Sequence, residues 1–128
     1  MEDKIVPINA AIGSKPGKVK IPSSIDVSNT GGVYYGLGIN GEIEVPMITL
    51  NQLIKDYSIE PDVLKMDCEG CEFDIILNDY EHVRLFRELI MEYHEVNEHK
   101  LSEIVILLNR DYKCSVIKEK GILHCVRI

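Results

Sequence analysis

The sequence has no tryptophan and only two phenylalanines among its 128 residues, so large aromatic side chains cannot dominate its core. No apolar run approaches the roughly 20 residues that a membrane-spanning helix needs. The N-terminus, MEDKIVPINA, lacks the layout of a signal peptide. Lys and Arg form no basic stripe, and the formal net charge is −7. We therefore expect a cytoplasmic protein that binds neither nucleic acid nor membrane.

The rest of the composition is that of an ordinary globular protein. Hydrophobic residues make up 45% of the chain and charged residues 27%. At this length we expect a single α/β domain spanning residues 1–128. Residues 1–48 read as an irregular segment of strands and a hairpin, and residues 49–128 as alternating helices and strands.

Three helices are predicted by apolar residues that recur at i, i+3, i+4 and i+7. Thr49 and Gln52 form a capping box at the start of the first helix. The three apolar sets are Leu50, Leu53, Ile54 and Tyr57; Phe73, Ile76, Leu77 and Tyr80; and Leu101, Ile104, Val105 and Leu108.

Two continuous apolar runs, Asp62–Met66 and Leu89–Tyr93, alternate with these helices. Continuous runs are typical of parallel strands covered on both faces, which predicts a doubly wound sheet with helices on both sides. The chain ends in a predicted antiparallel hairpin, Lys113–Ile117 with Ile122–Ile128, closed by a turn at 118–121.

In the first 48 residues we expect strands at Lys4–Ile12 and Lys18–Ile21, and a hairpin of Val33–Tyr35 with Glu42–Val45. Gly36 to Gly41 matches the dinucleotide-binding pattern G-x-G-x-x-G. That loop works because a helix begins within it, whereas Glu42–Val45 alternates like a strand. We therefore interpret the glycines as a hairpin or loop.

Three acidic residues and a histidine lie where the two predicted apolar strands end. Asp67 and Glu69 follow the first strand, and Glu92 and His94 close the second. Parallel strands joined by one helix usually lie side by side, so these four side chains should converge. Together they can hold a divalent cation or supply a general base.

Each of these residues also has a purely structural interpretation. Asp67 can cap the following helix, and Glu72 suits the positive end of its dipole. His94 can be a solvated loop residue. The three other histidines lack such neighbours, and we expect them to be surface or structural: His82, His99 and His124.

The four cysteines form two suggestive pairs. Cys68 and Cys71 straddle the strand-to-helix turn, where a C-x-x-C pair can carry redox chemistry, but we favour two small residues packed under the turn. Cys114 and Cys125 lie opposite each other if the terminal hairpin is in register. Without a secretion signal, free buried thiols are the expected state of this second pair.

At this point the sequence resembles the FkbM-type methyltransferases. The resemblance rests on the K-x-D-x-E-G-x-E pattern within Asp62–Glu72, on Thr49–Ile54 before it, and on the strand that ends at Glu92. Cys68 and Cys71 depart from the family, which usually has small apolar residues there. Weaker likeness around Asn9–Gly13 extends the match over nearly the whole chain.

The resemblance implies a truncated Rossmann-like class I methyltransferase sheet with a C-terminal antiparallel hairpin. In the family's numbering the strands are ordered 3-2-1-4-5-7-6, and this chain would begin at the third. The first strand with its glycine loop and the second with its ribose-binding acid are then missing. S-adenosylmethionine is the implied cofactor, and only Ala10 and Asp67 match positions on its side of the site.

A further consequence concerns the fourth strand, Asp62–Met66, which would be left as an unpaired apolar edge. Such an edge recruits another strand. We expect the N-terminal strand to pair with it, or the protein to associate with itself or a partner chain along residues 62–66.

Three functions remain open from the sequence. The first is methyl transfer from S-adenosylmethionine to a hydroxyl of a sugar or small molecule, or an incomplete remnant of that activity, inactive alone. Asp67, Glu69, Glu92 and His94 would then line the acceptor pocket. The second is a non-catalytic assembly subunit, and the third is a thiol-based activity at Cys68 and Cys71.

Overall fold

A computed structural model describes residues 5–21, 43–68, 70–93 and 100–128. Within them it has seven strands and four helices. The strands are β1 Ala11–Ile12, β2 Gly17–Ile21, β3 Ile43–Ile48, β4 Val63–Met66, β5 Glu88–Glu92, β6 Tyr112–Ile117 and β7 Ile122–Arg127. The helices are α1 Leu50–Asp56, α2 Cys71–Asn78, α3 Tyr80–Val83 and α4 Leu101–Leu108.

The strands form two sheets. The larger has the order β4-β5-β7-β6, with β4 and β5 parallel and β7 antiparallel to both of its neighbours. The smaller has the order β1-β3-β2. The α/β class and the mixed sheet are as predicted, and the larger sheet reproduces the expected order 4-5-7-6.

The hydrophobic core lies between one face of the larger sheet and the helices. Leu89 and Met91 of β5 and Leu123 of β7 are fully buried there, together with Phe73 of α2 and Ile104 of α4. Burying an aliphatic or aromatic side chain of this size contributes about 1.5–3 kcal/mol. Packing of α2 and α4 on the sheet therefore accounts for much of the stability of this half.

The opposite face of the larger sheet is not covered by a helix in the described part of the chain. Val63 and Val126 on this face are 45% and 39% exposed. Lys65 is exposed as well, and Ile90 is only partly buried. The prediction of helices on both faces is therefore wrong for these residues, because burial alternates along β5 instead of being continuous.

Helix α1 begins as its sequence predicts. The Thr49 side chain accepts a hydrogen bond from the Gln52 backbone at 3.2 Å, and the Gln52 side chain accepts one from the Thr49 backbone at 2.9 Å. These reciprocal bonds satisfy backbone N–H groups that have no partner within the helix. Leu50 then packs into the core.

The terminal hairpin is confirmed. β6 and β7 pair antiparallel, and a 3-10 turn at Lys118–Lys120 leads into Gly121, whose φ of 63° suits glycine. Cys114 lies directly opposite Cys125, as the register predicted, and the two form a disulfide. The expectation of free thiols is wrong here, because cross-strand pairing brings the two Cα atoms to 4.0 Å.

The N-terminal region departs from its prediction. Within the described part of the expected strand Lys4–Ile12, only β1 forms a strand. It pairs parallel with β3 rather than with β4. The idea that the N-terminal strand covers the β4 edge is therefore wrong: Ala11 and Ile12 bond to the strand leading into α1, and Gly13 donates to the Ile48 carbonyl. β2 forms as predicted and pairs with β3. Val33–Tyr35 and the glycine-rich stretch 36–41 lie outside the described residues.

No described helix is long and apolar enough to cross a bilayer.

Candidate functional site

Two of the predicted site residues lie at the same edge of the larger sheet. Met66 of β4 pairs with Met91 of β5, so Asp67, which follows β4, lies beside Glu92, the last residue of β5. Both side chains are exposed. The carboxyl ends of parallel strands are where open α/β sheets bind ligands, and two carboxylates stand there.

The turn of the terminal hairpin lies at this same edge. Ile122 pairs with Glu92, and the N–H of Tyr93 donates to the Gly121 carbonyl at 3.0 Å. Main-chain hydrogen bonds thereby fix the chain on both sides of Glu92. Glu69 and His94, the other two predicted members of the constellation, lie outside the described residues, so convergence of all four stays a prediction.

Glu72 lies beneath the strand-to-helix turn rather than at the exposed edge. Its side chain is fully buried, and Oε2 accepts a hydrogen bond from the Gly70 backbone at 3.2 Å. Gly70 has a φ of 111°, a left-handed conformation that residues with a Cβ rarely adopt. These two residues of the E-G-x-E pattern therefore hold the shape of the turn that follows Asp67.

The same turn carries a disulfide between Cys68 and Cys71, whose Cα atoms are 5.3 Å apart. Cys71 is buried, whereas Cys68 is partly exposed, and its Sγ lies 3.3 Å from Oε2 of Glu72. The favoured interpretation of two packed, unbonded side chains is wrong, because the glycine turn brings the sulfurs into bonding range. The atoms of these two cysteines and Glu72 that could bind a metal ion lie within 4.8 Å of one another.

Polar groups at the opposite edge of the sheet satisfy one another. Nε of Arg87 donates to Asp62 at 2.7 Å, and this hydrogen bond is the main reason why the pKa of Arg87 is raised. The Asp62 carbonyl also accepts from the backbone of Arg87 and Glu88, at 2.8 and 3.0 Å. These hydrogen bonds join the start of β4 to the start of β5. They give the polar groups at this edge a structural role.

Two of the remaining histidines also have structural partners. Nδ1 of His82 contacts the Asp79 carboxylate, and Nε2 of His124 lies 2.6 Å from Oε2 of Glu88 on the open sheet face. Asp79, Glu81 and His82 form the second described group whose potential ligand atoms lie within 4.8 Å of one another. This group lies where α2 passes into α3, not at the carboxyl ends of β4 and β5. His99 lies outside the described residues.

The two positions matched to the cofactor side are not brought into one sheet. Ala10 is partly buried and precedes β1 in the smaller sheet, whereas Asp67 follows β4 in the larger one. A class I cofactor site needs a glycine loop and a ribose-binding acid beside a shared parallel sheet. The described residues do not assemble those parts, and they do not fit S-adenosylmethionine as a complete site.

Sequence reasoning missed a cleft between the smaller sheet and α2. It has a volume of about 450 Å³ and is lined by Ser14, Lys15, Met47, Asp74 and Asn78. Asp74 accepts hydrogen bonds from the backbone and the hydroxyl of Ser14, both at 2.8 Å. The sequence places Asp74 in the first turn of a helix, but nothing in it signals a partner 60 residues away.

Comparisons with known proteins bear on the family. No curated protein and no solved structure matches the chain. The family model described as the methyltransferase FkbM domain matches residues 3–114, which include the smaller sheet, β4 and β5 of the larger one, the Asp67 turn and Glu92. This match over most of the chain identifies it as a member of the FkbM methyltransferase domain family.

Proposed function

We propose that this chain provides the acceptor-binding part of an FkbM-like methyltransferase that acts on a hydroxyl of a sugar or small molecule. The observation that carries the proposal is the placement of Asp67 and Glu92 side by side at the carboxyl edge of a parallel strand pair. Exposed carboxylates at that edge can accept hydrogen bonds from hydroxyl groups, and one of them can take the hydroxyl proton as a general base.

Glu69 and His94 belong to the same proposal through their positions in the sequence. With Asp67 and Glu92 they would line the acceptor pocket or hold a divalent cation, since carboxylate oxygens are preferred by hard cations. The disulfide turn and the Tyr93–Gly121 hydrogen bond would keep the carboxylates in place.

S-adenosylmethionine is the methyl donor of the family. We expect this 128-residue chain not to bind it on its own, because Ala10 adjoins the smaller sheet and Asp67 the larger one. On this proposal the chain is inactive alone and acts once its larger sheet is completed.

Ligand-observed NMR with a panel of methyl glycosides, together with calorimetry, tests the proposal. Saturation transfer to at least one glycoside is expected with the wild-type protein and should fall several-fold in the D67N/E92Q variant, which keeps side-chain size while removing both charges. Calorimetry with S-adenosylmethionine should show no heat of binding.

Glu60→Gln is the matched control, because Glu60 is also exposed but precedes β4 at the far end of the strand. It should bind glycosides like the wild type. Equal signals from the D67N/E92Q and E60Q variants would contradict the acceptor site. Micromolar binding of S-adenosylmethionine would contradict the proposed inactivity of the chain alone.

A second candidate function is that of a non-catalytic assembly subunit. It is favoured by β4, which among the described residues pairs only with β5 and leaves its other edge open next to an uncovered sheet face. A second copy of this chain, or a partner chain, would add a strand along residues 62–66. Like the first candidate, this function requires that a further strand complete the larger sheet. Unlike the first, it requires no methyl acceptor.

A further inference from the structure

The Cys68–Cys71 pair differs from a simple structural crosslink in where it lies and in what surrounds it. It closes a C-x-x-C turn at the start of α2, an eight-residue helix. One sulfur belongs to a partly exposed residue, and the other belongs to Cys71, which is 1% exposed. Attack by an external thiol is therefore directed to Cys68, and Cys71 becomes the leaving group.

A buried carboxylate stands beside the sulfur that would be attacked. Oε2 of Glu72 lies 3.3 Å from Sγ of Cys68 and is held in place by the Gly70 N–H. In the disulfide this sulfur carries no proton, but in the dithiol it would donate a hydrogen bond to Glu72. A side chain in that position can exchange a proton with Cys68 each time the pair opens or closes.

We propose that Cys68 and Cys71 form a redox-active site that exchanges electrons with dithiols, an activity separate from methyl transfer. A dithiol's thiolate attacks Sγ of Cys68, the Cys68–Cys71 bond breaks, and its electron pair stays on Cys71, which takes a proton. The second thiolate then attacks the donor sulfur of the mixed disulfide. Cys68 leaves with the electron pair and takes a proton, so the pair gains two electrons and two protons while the dithiol becomes a disulfide.

The chain carries its own matched control in Cys114 and Cys125. This disulfide links the middle of two paired strands, and Cys125 is fully buried in the core. Opening it disturbs the hairpin, whereas opening the Cys68–Cys71 bond disturbs only a turn. The two bonds should therefore differ in reactivity within the same folded molecule.

The experiment reduces the folded wild-type protein with dithiothreitol, traps free thiols with iodoacetamide at timed intervals, and locates them by mass spectrometry. Cys68 and Cys71 should become labelled at least about tenfold faster than Cys114 and Cys125. Each pair has one partly exposed cysteine, but the turn can open locally, whereas Cys114 is held in β6 opposite Cys125. Removing the reductant and adding oxidised dithiothreitol should restore the bond. Glu72→Gln should slow the exchange at this pair and leave the other pair unchanged.

Equal labelling rates for the two pairs, or no labelling without denaturant, would overturn the proposal. Stoichiometric zinc retained by the reduced protein, with loss of reoxidation, would also overturn it and assign the two thiolates and Glu72 to a metal site. Because the wild-type protein is the main sample, the outcome does not depend on the folding of a variant. Dithiol exchange is also measured without glycoside or S-adenosylmethionine, so its failure is separable from failure of the acceptor site.

Discussion

Burial decides how similar side chains behave in this molecule. Glu72 is enclosed under the turn and supports the backbone, while Asp67 and Glu92 are exposed beside it. Two tyrosines show the same effect of surroundings on ionisation. Burial is the largest cause that raises the pKa of Tyr80, followed by its 2.6 Å hydrogen bond to Asp111. Burial also raises the pKa of Tyr112, whose hydroxyl contacts the carbonyls of Val83 and Phe86.

These raised pKa values predict a loss of stability at alkaline pH. In the unfolded chain a tyrosine ionises near pH 10, while the folded protein still holds the proton on Tyr80, so the native state binds more protons in that window. The stabilisation is complete below about pH 10 and is lost as pH rises toward the folded-state pKa. The free energy of unfolding, measured by urea denaturation, should fall above pH 10, and less steeply in Tyr80→Phe. Parallel pH profiles for the two proteins would refute this assignment.

At the scale of single elements, α1 and the terminal hairpin are specified by their own sequences. The Thr49–Gln52 capping box and the apolar spacing from Leu50 fix α1, and the turn before Gly121 fixes the pairing of β6 with β7. By contrast, β1 is only two residues long, although the sequence suggested a longer strand. Its partner, β3, lies over 30 residues away, so local sequence does not set its length.

The capping box of α1 gives a test at this scale. Thr49→Ala removes the acceptor of the Gln52 N–H and should lower the free energy of unfolding by about 1 kcal/mol. Ser102→Ala, which removes an exposed hydroxyl on α4, is the control and should alter stability by less than about 0.5 kcal/mol. Urea denaturation of both variants measures the difference. Equal free energies of unfolding for the Thr49→Ala and Ser102→Ala variants would mean that the cap contributes nothing in the folded protein.

At the scale of the whole molecule, the two outer strands of the larger sheet differ in chemistry. β4 reads Val-Leu-Lys-Met, and Val63 is 45% exposed beside the uncovered face. Each strand carries one lysine, Lys65 in β4 and Lys113 in β6, but β6 also leads into a turn with two further lysines, and such charge protects an edge from pairing. An added strand is therefore expected at β4.

Light scattering coupled to size exclusion tests this expectation. The wild-type protein should have a mass at least twice the 14.5 kDa of one chain and should dissociate on dilution. Val63→Lys should shift it to the monomer, because a lysine beside the edge opposes strand addition. Val116→Lys on β6, at a residue 39% exposed, is the matched control and should retain the larger mass. A wild-type mass of 14.5 kDa at every concentration would count against self-association along β4.

The sequence by itself determined the elements whose signals are local, and with them the family. Helix periodicity, the capping box, the hairpin register that sets Cys114 opposite Cys125, and the K-x-D-x-E-G-x-E pattern all depend on residues a few positions apart. Neighbouring parallel strands then follow from general rules of connection, which is why Asp67 could be placed beside Glu92.

Only the tertiary structure decided which surfaces are buried and which distant residues meet. It placed β1 in a separate sheet, left one face of the larger sheet uncovered by any described helix, joined Ser14 to Asp74, and enclosed Glu72 beside Cys68. The physical reason is that such contacts depend on how whole elements pack, and a pattern of neighbouring residues does not contain that information. Apolar β4 and β5 look alike in sequence, but their burial differs because β5 has a strand on each side and β4 has one in the described chain.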